Sequence, residues 1–426
     1  MKNLFFIIII AGIISCNPKQ TQNQELKQQI KNNEYFAFTK QKALEIVKTG
    51  FNAGDGYGEV WIRDYNTFIE LSAEVFEAET LKENLLVFFK MQGDDGNIID
   101  GFSPIEKVGK DTPDFSYSKL EPRYAAHKNT VETDQESSLV QAVYKYIQAT
   151  GDKTILGETI GNKTVAERLE WAMDFLMNER FNKKYGLIIG ATTADWGDVQ
   201  PEHGWGVDLD INTHKAIDIY DNAMFIIALN NLIEIIPSAK TKWEQTKNMI
   251  AKNSMKYLWN ETNQKFIPHI YLNGSPFPEN YDENKIYYFG GTAIAIEAGL
   301  LNKEQIKTSL DEMVKRVKLA GAPSVGLTIY PPYPAGFFKN KIMNPEYSYQ
   351  NGGDWTWFGG RMIQELIKNG FVDEAYREMQ PMVKRVKEND GFFEWYSVNN
   401  EPRGTGTFRG SAGVLYKAIL MFEELE

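Results

Sequence analysis

One cysteine in 426 residues excludes a disulfide framework and any cysteine-rich zinc site. Four histidines are too few for a histidine-based metal cluster, although calcium sites, which need only oxygen ligands, remain open. Basic residues are in deficit, 46 against 57 acidic ones. The resulting net charge of −11 offers no basic field to match the phosphates of a nucleic acid or an anionic membrane. Long alternating strand patterns are missing too. There is no Gly-rich phosphate cradle, Ser-His-Asp elbow or Cys-His pairing in supporting context. Neither a resident metal nor a cofactor is expected. What the chain does have is aromatic: 13% of residues, including 9 Trp and 21 Tyr, more than a core usually demands.

The cysteine is explained by its place. Met1-Lys2-Asn3 is a short basic start, Leu4 to Ile14 is apolar, and Ser15-Cys16 is followed by polar Asn17-Pro18-Lys19-Gln20. The apolar run is about half the roughly 20 residues that a membrane-spanning helix needs, so 1–15 reads as a signal peptide. Ile13-Ile14-Ser15-Cys16 resembles a bacterial lipobox, which implies lipidation of Cys16 and anchoring in the cell envelope, in the periplasm or on the outer membrane. An ordinary secretory signal with an incidental cysteine is the alternative. Residues 16–33, rich in Gln, Asn and Lys, are expected to form a flexible tether.

From residue 34 to 426 the chain reads as a single helical domain. Apolar spacings of three and four predict helices over 36–50, 64–79, 132–150, 163–179, 221–236 and 240–258. Further ones are predicted over 290–300, 303–318, 354–369, 372–387 and 409–424, with a twelfth near 81–91. Thr150-Gly151-Asp152, Gly299-Leu300-Leu301-Asn302 and Asn369-Gly370-Phe371 supply glycines at helix ends, each followed by a new start. Short turns therefore alternate with long loops rich in Trp, Tyr, Gly, Asp and Asn. Six such αα-hairpins predict an all-α, double-layered (α/α)6 barrel whose long loops share one rim. A helical solenoid would show a steadier period.

The long loops carry the chemistry. They hold Glu59-Val60-Trp61-Ile62-Arg63-Asp64, Glu132-Thr133-Asp134, Asp195-Trp196-Gly197-Asp198, Asp221-Asn222, Asn351-Gly352-Gly353-Asp354-Trp355 with Trp357 close by, and Phe393-Glu394-Trp395-Tyr396. Alternating carboxylates and aromatics suit a sugar, because hydroxyls bond to Asp, Glu, Arg and Asn while the ring's apolar faces stack on Trp or Tyr. Asp or Asn before a helix is usually only an N-cap, so the weight lies in six such segments converging on one rim.

Trp61-Ile62-Arg63-Asp64 with Phe68 and Leu71 resembles the opening motif of six-hairpin glycosidases, in particular the amylo-α-1,6-glucosidase domain of glycogen debranching enzymes. Glu132-Thr133-Asp134, Asp195-Trp196-Gly197-Asp198, Asp221-Asn222-Ala223 and Asn351-Gly352-Gly353-Asp354-Trp355 resemble later segments of the same family, in order. Related patterns occur in trehalases, neutral invertases and processing α-glucosidases. The resemblance implies an inverting exo-glycosidase acting on short gluco-oligosaccharides, most simply α-linked, and working as a monomer. It places the general acid at Asp198, with Asp195 as close rival across Trp196, and the general base at Glu394. It also implies that Arg63 and Asp64 grip the non-reducing sugar. Trp61, Trp196, Trp355 and Trp357 would wall the pocket, and Glu132, Asp134, Asp221, Asn222, Asn351 and Asp354 would bind sugar hydroxyls. Trehalose, sucrose, kojibiose-like and mannose-containing substrates stay open.

Three other functions compete. A non-catalytic carbohydrate-binding lipoprotein would keep the aromatic loops but has no need of two opposed carboxyls. A disaccharide phosphorylase needs an anion site where Glu394 stands. A helical interaction scaffold does not call for tryptophans and glycines gathered in its loops. His203 and His214, in the loop 199–219, read as hydrogen-bonding residues, and the Pro-Tyr run 330–338 as a loop shaping outer subsites.

Overall fold

The computed structural model describes residues 18–109, 112 and 114–425, with side chains from Asn23 onward. The expected signal peptide and Cys16 lie outside the described residues. The chain first forms α1 (Pro18–Asn32), α2 (Glu34–Val47), α3 (Ile62–Ser72), α4 (Ala78–Lys90) and the single turn α5 (Ile105–Val108). Next come α6 (Gln135–Thr150), α7 (Val165–Glu179), α8 (Ile219–Ile235), α9 (Lys240–Tyr257) and α10 (Phe289–Glu297). The last four are α11 (Lys303–Ala320), α12 (Thr356–Lys368), α13 (Val372–Glu388) and α14 (Arg409–Glu423).

Six of these close a ring: α3 packs on α6, α6 on α8, α8 on α10, α10 on α12, α12 on α14, and α14 back on α3. The outer layer is α2, α4, α7, α9, α11 and α13, each lying against an inner helix. Sequence composition sorts the two layers. Phe289 through Ile296 of α10 are all buried, as suits a helix covered on every side. The outer helix α11 buries only Ile306, Ser309, Leu310 and Met313, one stripe at spacings of three and four. Caps set the starts: Thr164 and Glu167 form a reciprocal capping box at α7, and Asn302 with Gln305 forms another at α11.

Each inner helix from α3 to α12 passes to its outer follower by a turn of at most fourteen residues (151–164 being the longest), whereas the outer-to-inner connections include 91–134, 180–218 and 321–355. The long connections therefore all reach the rim formed by the N-termini of the inner helices. One builds a small antiparallel sheet in which Val60–Trp61 pairs with Gly101–Pro104, then Tyr124–His127, then Ser116–Tyr117. The barrel and its twelve helices are as the apolar spacing predicts.

The tether is different. Pro18–Asn32 is helical, and Leu26 and Ile30, one turn apart, are buried where α1 lies against α2 and α14. Two apolar side chains on one face are enough to dock a helix whose remaining residues are polar. Among the described residues no helix is long and apolar enough to cross a membrane.

Candidate active site

At the centre of the rim lies a cavity of about 310 Å³, at the small end of the range for ligand pockets (about 300–1,000 Å³). Trp61, Arg63, Asp64, Glu132, Trp196, Asp198, Trp355, Trp357 and Glu394 all line it. Five of the six expected loops thus converge. The same lining contains Glu59 of the first loop, and also Tyr57, Asp100, His127 and Tyr349, which had no distinguishing sequence pattern.

The floor is aromatic. Trp196 stacks on Phe358 with ring centroids 4.3 Å apart and meets Trp355 and Trp357 edge-on at 4.9 and 5.6 Å. The Trp357 indole N–H donates to Thr67 Oγ1 at 2.9 Å, and that of Trp355 donates to the Tyr349 carbonyl at 3.1 Å. These bonds fix the planes of two of the rings, and all three indoles line the cavity.

Glu394 sits on the loop between α13 and α14. Its N–H donates to the Thr405 carbonyl at 3.1 Å, and the neighbouring Tyr396 exchanges both backbone hydrogen bonds with Asp354. The Tyr57 hydroxyl donates to the Glu394 carboxylate, and Tyr349 bonds it as well. Burial pushes the Glu394 carboxyl above its ordinary range, the Tyr57 bond pulls it back, and the charge of Asp198 pushes it up again. Asp198 therefore lies within electrostatic reach of Glu394. Its Oδ1 is buried and takes no hydrogen bond from any described residue, while its backbone N–H and carbonyl are held by Gln350 and Asn129 at 3.4 and 3.2 Å. Asp198 is a carboxyl held by its main chain, with one oxygen left for something else.

The rival acid is elsewhere. Asp195 is 1% exposed and does not line the cavity. Its two carboxyl oxygens accept the N–H groups of Gly290 and Gly291, each at 2.7 Å, at the start of α10. A Cβ on Gly291 would stand 2.7 Å from Asp195 Oδ1, so only glycine admits this approach. Asp195 caps a helix.

Arg63 enters from the first turn of α3. It pairs with Glu132, places Nε 3.0 Å from Asp134 Oδ2, and donates from Nη1 to the Trp196 carbonyl at 3.2 Å. Burial works against its charge, but Asp134 and neighbouring acids hold its pKa above the ordinary arginine value. Asp64 and Asp100 face the cavity beside it. Burial raises both against the opposing pull of Arg63, with the charge of Asp100 added at Asp64 and that of Glu59 added at Asp100, which is pushed up to about 7.

Several expected sugar-binding residues serve the scaffold instead. Asp134 is fully buried, bonded by the Tyr220 hydroxyl at 2.6 Å as well as by Arg63. Asn222 accepts from the Ile188 N–H and donates to the Ile188 and Asp218 carbonyls. Asn351 holds Tyr333 through its N–H and carbonyl, and Asp354 pairs with Arg385 at 2.7 Å, both fully buried. Asp221 lines a small void beneath the cavity with Asp195 and Asp218. All five are buried in the barrel, and Asn222, Asn351 and Asp354 have their polar atoms bonded internally. No residue of 330–338 lines the cavity; Tyr333, Phe337 and Phe338 form an apolar cluster with Phe277. His203 and His214 pair with Asp210 and Glu202 at 3.1 and 2.6 Å, as expected of loop residues. Among the described residues no group of three or more His, Cys, Asp or Glu is placed to hold a metal ion.

A profile of the family described as "Glycosyl hydrolase 94 superfamily, catalytic domain" matches residues 20–349. The fold is similar to that of a GH63 mannosylglycerate hydrolase from Thermus thermophilus in complex with glucose, at 16% identity and a TM-score of 0.62, over 91% of this chain and 100% of that one. It is also similar to a rhamnosidase from Klebsiella oxytoca with rhamnose bound, at 10% identity and a TM-score of 0.57, over 90% of this chain and 63% of that one. A search of curated protein sequences returns no match. The six-hairpin glycosidase resemblance is therefore shown, for family and for fold.

Proposed function

The chain belongs to the glycosyl hydrolase 94 superfamily, and from that premise we propose that it is an inverting, exo-acting glycoside hydrolase of short gluco-oligosaccharides. The observation that carries this reading is the pairing of Asp198 and Glu394 on one aromatic-floored cavity. Asp198, with Oδ1 unpartnered, donates its proton to the glycosidic oxygen as the bond to the anomeric carbon breaks. Glu394, oriented by Tyr57 and Tyr349, takes a proton from the water that attacks the opposite face of that carbon. Pairs working this way stand roughly 6.5–9.5 Å apart, leaving room for the water. After the sugar departs, exchange with solvent returns a proton to Asp198 and takes one from Glu394.

Arg63 and Asp64, both buried, line the cavity with Asp100, and a buried cluster of hydrogen-bonding groups suits a terminal sugar better than the interior of a chain. An α-glucosidic linkage is the version nearest the motif resemblance. Phosphorolysis is disfavoured on chemical grounds. Its phosphate would have to occupy the side of Glu394, and Arg63, the one arginine or lysine lining the described cavity, is already engaged by acids. The proposal includes secretion through residues 1–15, lipidation at Cys16 in the cell envelope, and action as a monomer. The test is a panel of aryl glycosides and disaccharides, with the product anomer followed by NMR. Release of the anomer opposite to the substrate's supports inversion. Retention, strict dependence on phosphate, or sugar binding with no turnover would sink the reading.

A further inference from the structure

Two of the most exposed large apolar side chains among the described residues stand at this cavity. Trp205 is 70% exposed and Ile342 is 54% exposed, yet both line it. They come from different long loops, one before α8 and one before α12, and the loops are tied together. The Lys339 N–H donates to the Pro201 carbonyl at 3.1 Å, and Asn340 Nδ2 donates to the Trp205 carbonyl at 3.4 Å. The turn that presents Trp205 is fixed by Gly206, which has a φ of +82° and a carbonyl that accepts the Gln200 N–H at 2.9 Å. A Cβ there would lie 2.7 Å from Val199 Cγ1 and 3.0 Å from the Gln200 carbonyl oxygen. The exposed indole is thus held out by a defined turn.

Charge supplies the second observation. The described lining holds six carboxyl side chains: Glu59, Asp64, Asp100, Glu132, Asp198 and Glu394. Against them stand Arg63, engaged by Glu132 and Asp134, and His127, whose ring lies 6.0 Å from that of Phe115. With Asp198 protonated as the acid and burial raising Asp64 and Asp100, Glu59, Glu132 and Glu394 still outnumber Arg63, so a carboxylate or phosphate on the departing group would meet a field of its own sign. A neutral pyranose would meet an indole face suited to its apolar hydrogens.

We propose that Trp205 and Ile342 form the subsite for the leaving group, and that this subsite takes an uncharged pyranose ring and rejects anionic leaving groups. The inference rests on the hydrolase reading above and names the half of the substrate that reading leaves open.

The experiment compares leaving groups on one enzyme. Glycosyl fluorides of the α- and β-gluco and α- and β-manno series, which carry no departing ring, identify the sugar accepted by wild type. The matching disaccharide and a pair of aryl glycosides, of 4-hydroxybenzamide and of 4-hydroxybenzoate, are then assayed. Trp205→Ala is expected to lower kcat/KM for the disaccharide about tenfold more than for the fluoride, with Trp205→Phe restoring most of the difference. Wild type is expected to prefer the neutral benzamide glycoside to the benzoate about tenfold or more. Equal losses on disaccharide and fluoride, or no loss on either, overturn the stacking subsite. Equal turnover of the two aryl glycosides overturns the charge selection. If wild type cleaves no fluoride and no glycoside, the hydrolase reading itself has failed. Ile342→Ala, at an exposed site on the other loop, repeats the comparison should Trp205→Ala fail to fold.

Discussion

Replacing Asp195 by alanine separates a helix cap from an acid catalyst. Its two oxygens serve the buried N–H groups of Gly290 and Gly291. Each donor left without an acceptor costs about 1–3 kcal/mol, so the variant should lose about 2–6 kcal/mol of stability. Asp195→Asn should err in the same direction, because its amide nitrogen would face one of those donors. Asp198 behaves oppositely. Its buried Oδ1 takes no bond from a described residue, so Asp198→Asn should change stability by about 1 kcal/mol or less. It should instead lower turnover about 10²- to 10⁴-fold on substrates whose leaving group needs a proton. A 2,4-dinitrophenyl glycoside, whose leaving group departs readily as an anion, should be largely spared. Urea unfolding followed by tryptophan fluorescence reads the first effect, and initial rates on the two glycoside types read the second. The reasoning is refuted if Asp195→Ala unfolds at the wild-type urea concentration while losing turnover, and Asp198→Asn remains active.

Tyr57→Phe removes a bond that favours the ionised form of Glu394, so the Glu394 pKa rises and the acidic limb of the kcat/KM profile should move to higher pH. An unmoved limb in a pH–rate series would show that Glu394 does not act as the ionised base. Arg385→Ala leaves Asp354 as an unpaired charge in the core, at a cost of about 3–5 kcal/mol measurable by denaturant unfolding. A wild-type midpoint would contradict the scaffold role given to Asp354. Replacing Leu26 and Ile30 together by alanine should undock α1, seen as faster amide hydrogen exchange over 18–32 with the barrel's own protection retained.

The barrel was legible because its apolar spacing is regular on twelve helices, and because glycines mark the turns that join layers. Helix α1 was not, since Leu26 and Ile30 alone among polar neighbours look like a linker until a groove between α2 and α14 receives them. In the site, the motif-bearing loops fell where expected: Trp61, Arg63, Asp64, Trp196, Asp198 and Glu394 meet. Sequence could not tell which carboxyl in Asp195-Trp196-Gly197-Asp198 turns outward. That depends on two glycines nearly a hundred residues away that draw Asp195 inward. Asn222, Asn351 and Asp354 carry the same residue types as sugar ligands but spend their polar atoms on backbone and Arg385. Tyr57, Asp100, Tyr349 and Trp205 sit in loops with no periodicity, so only tertiary contact reveals them.

The contact of α3 with α14 joins nearly the first barrel segment to the last, and the Tyr57–Glu394 bond spans 337 residues. A chain leaving the ribosome at about 5–20 residues per second must therefore hold Tyr57, Trp61 and Arg63 in waiting until Glu394 has been made. A chain cut short before that point would own most of the barrel and the acid Asp198 but lack the base. Activity therefore waits on the loop that bears Glu394, which is made only after α13.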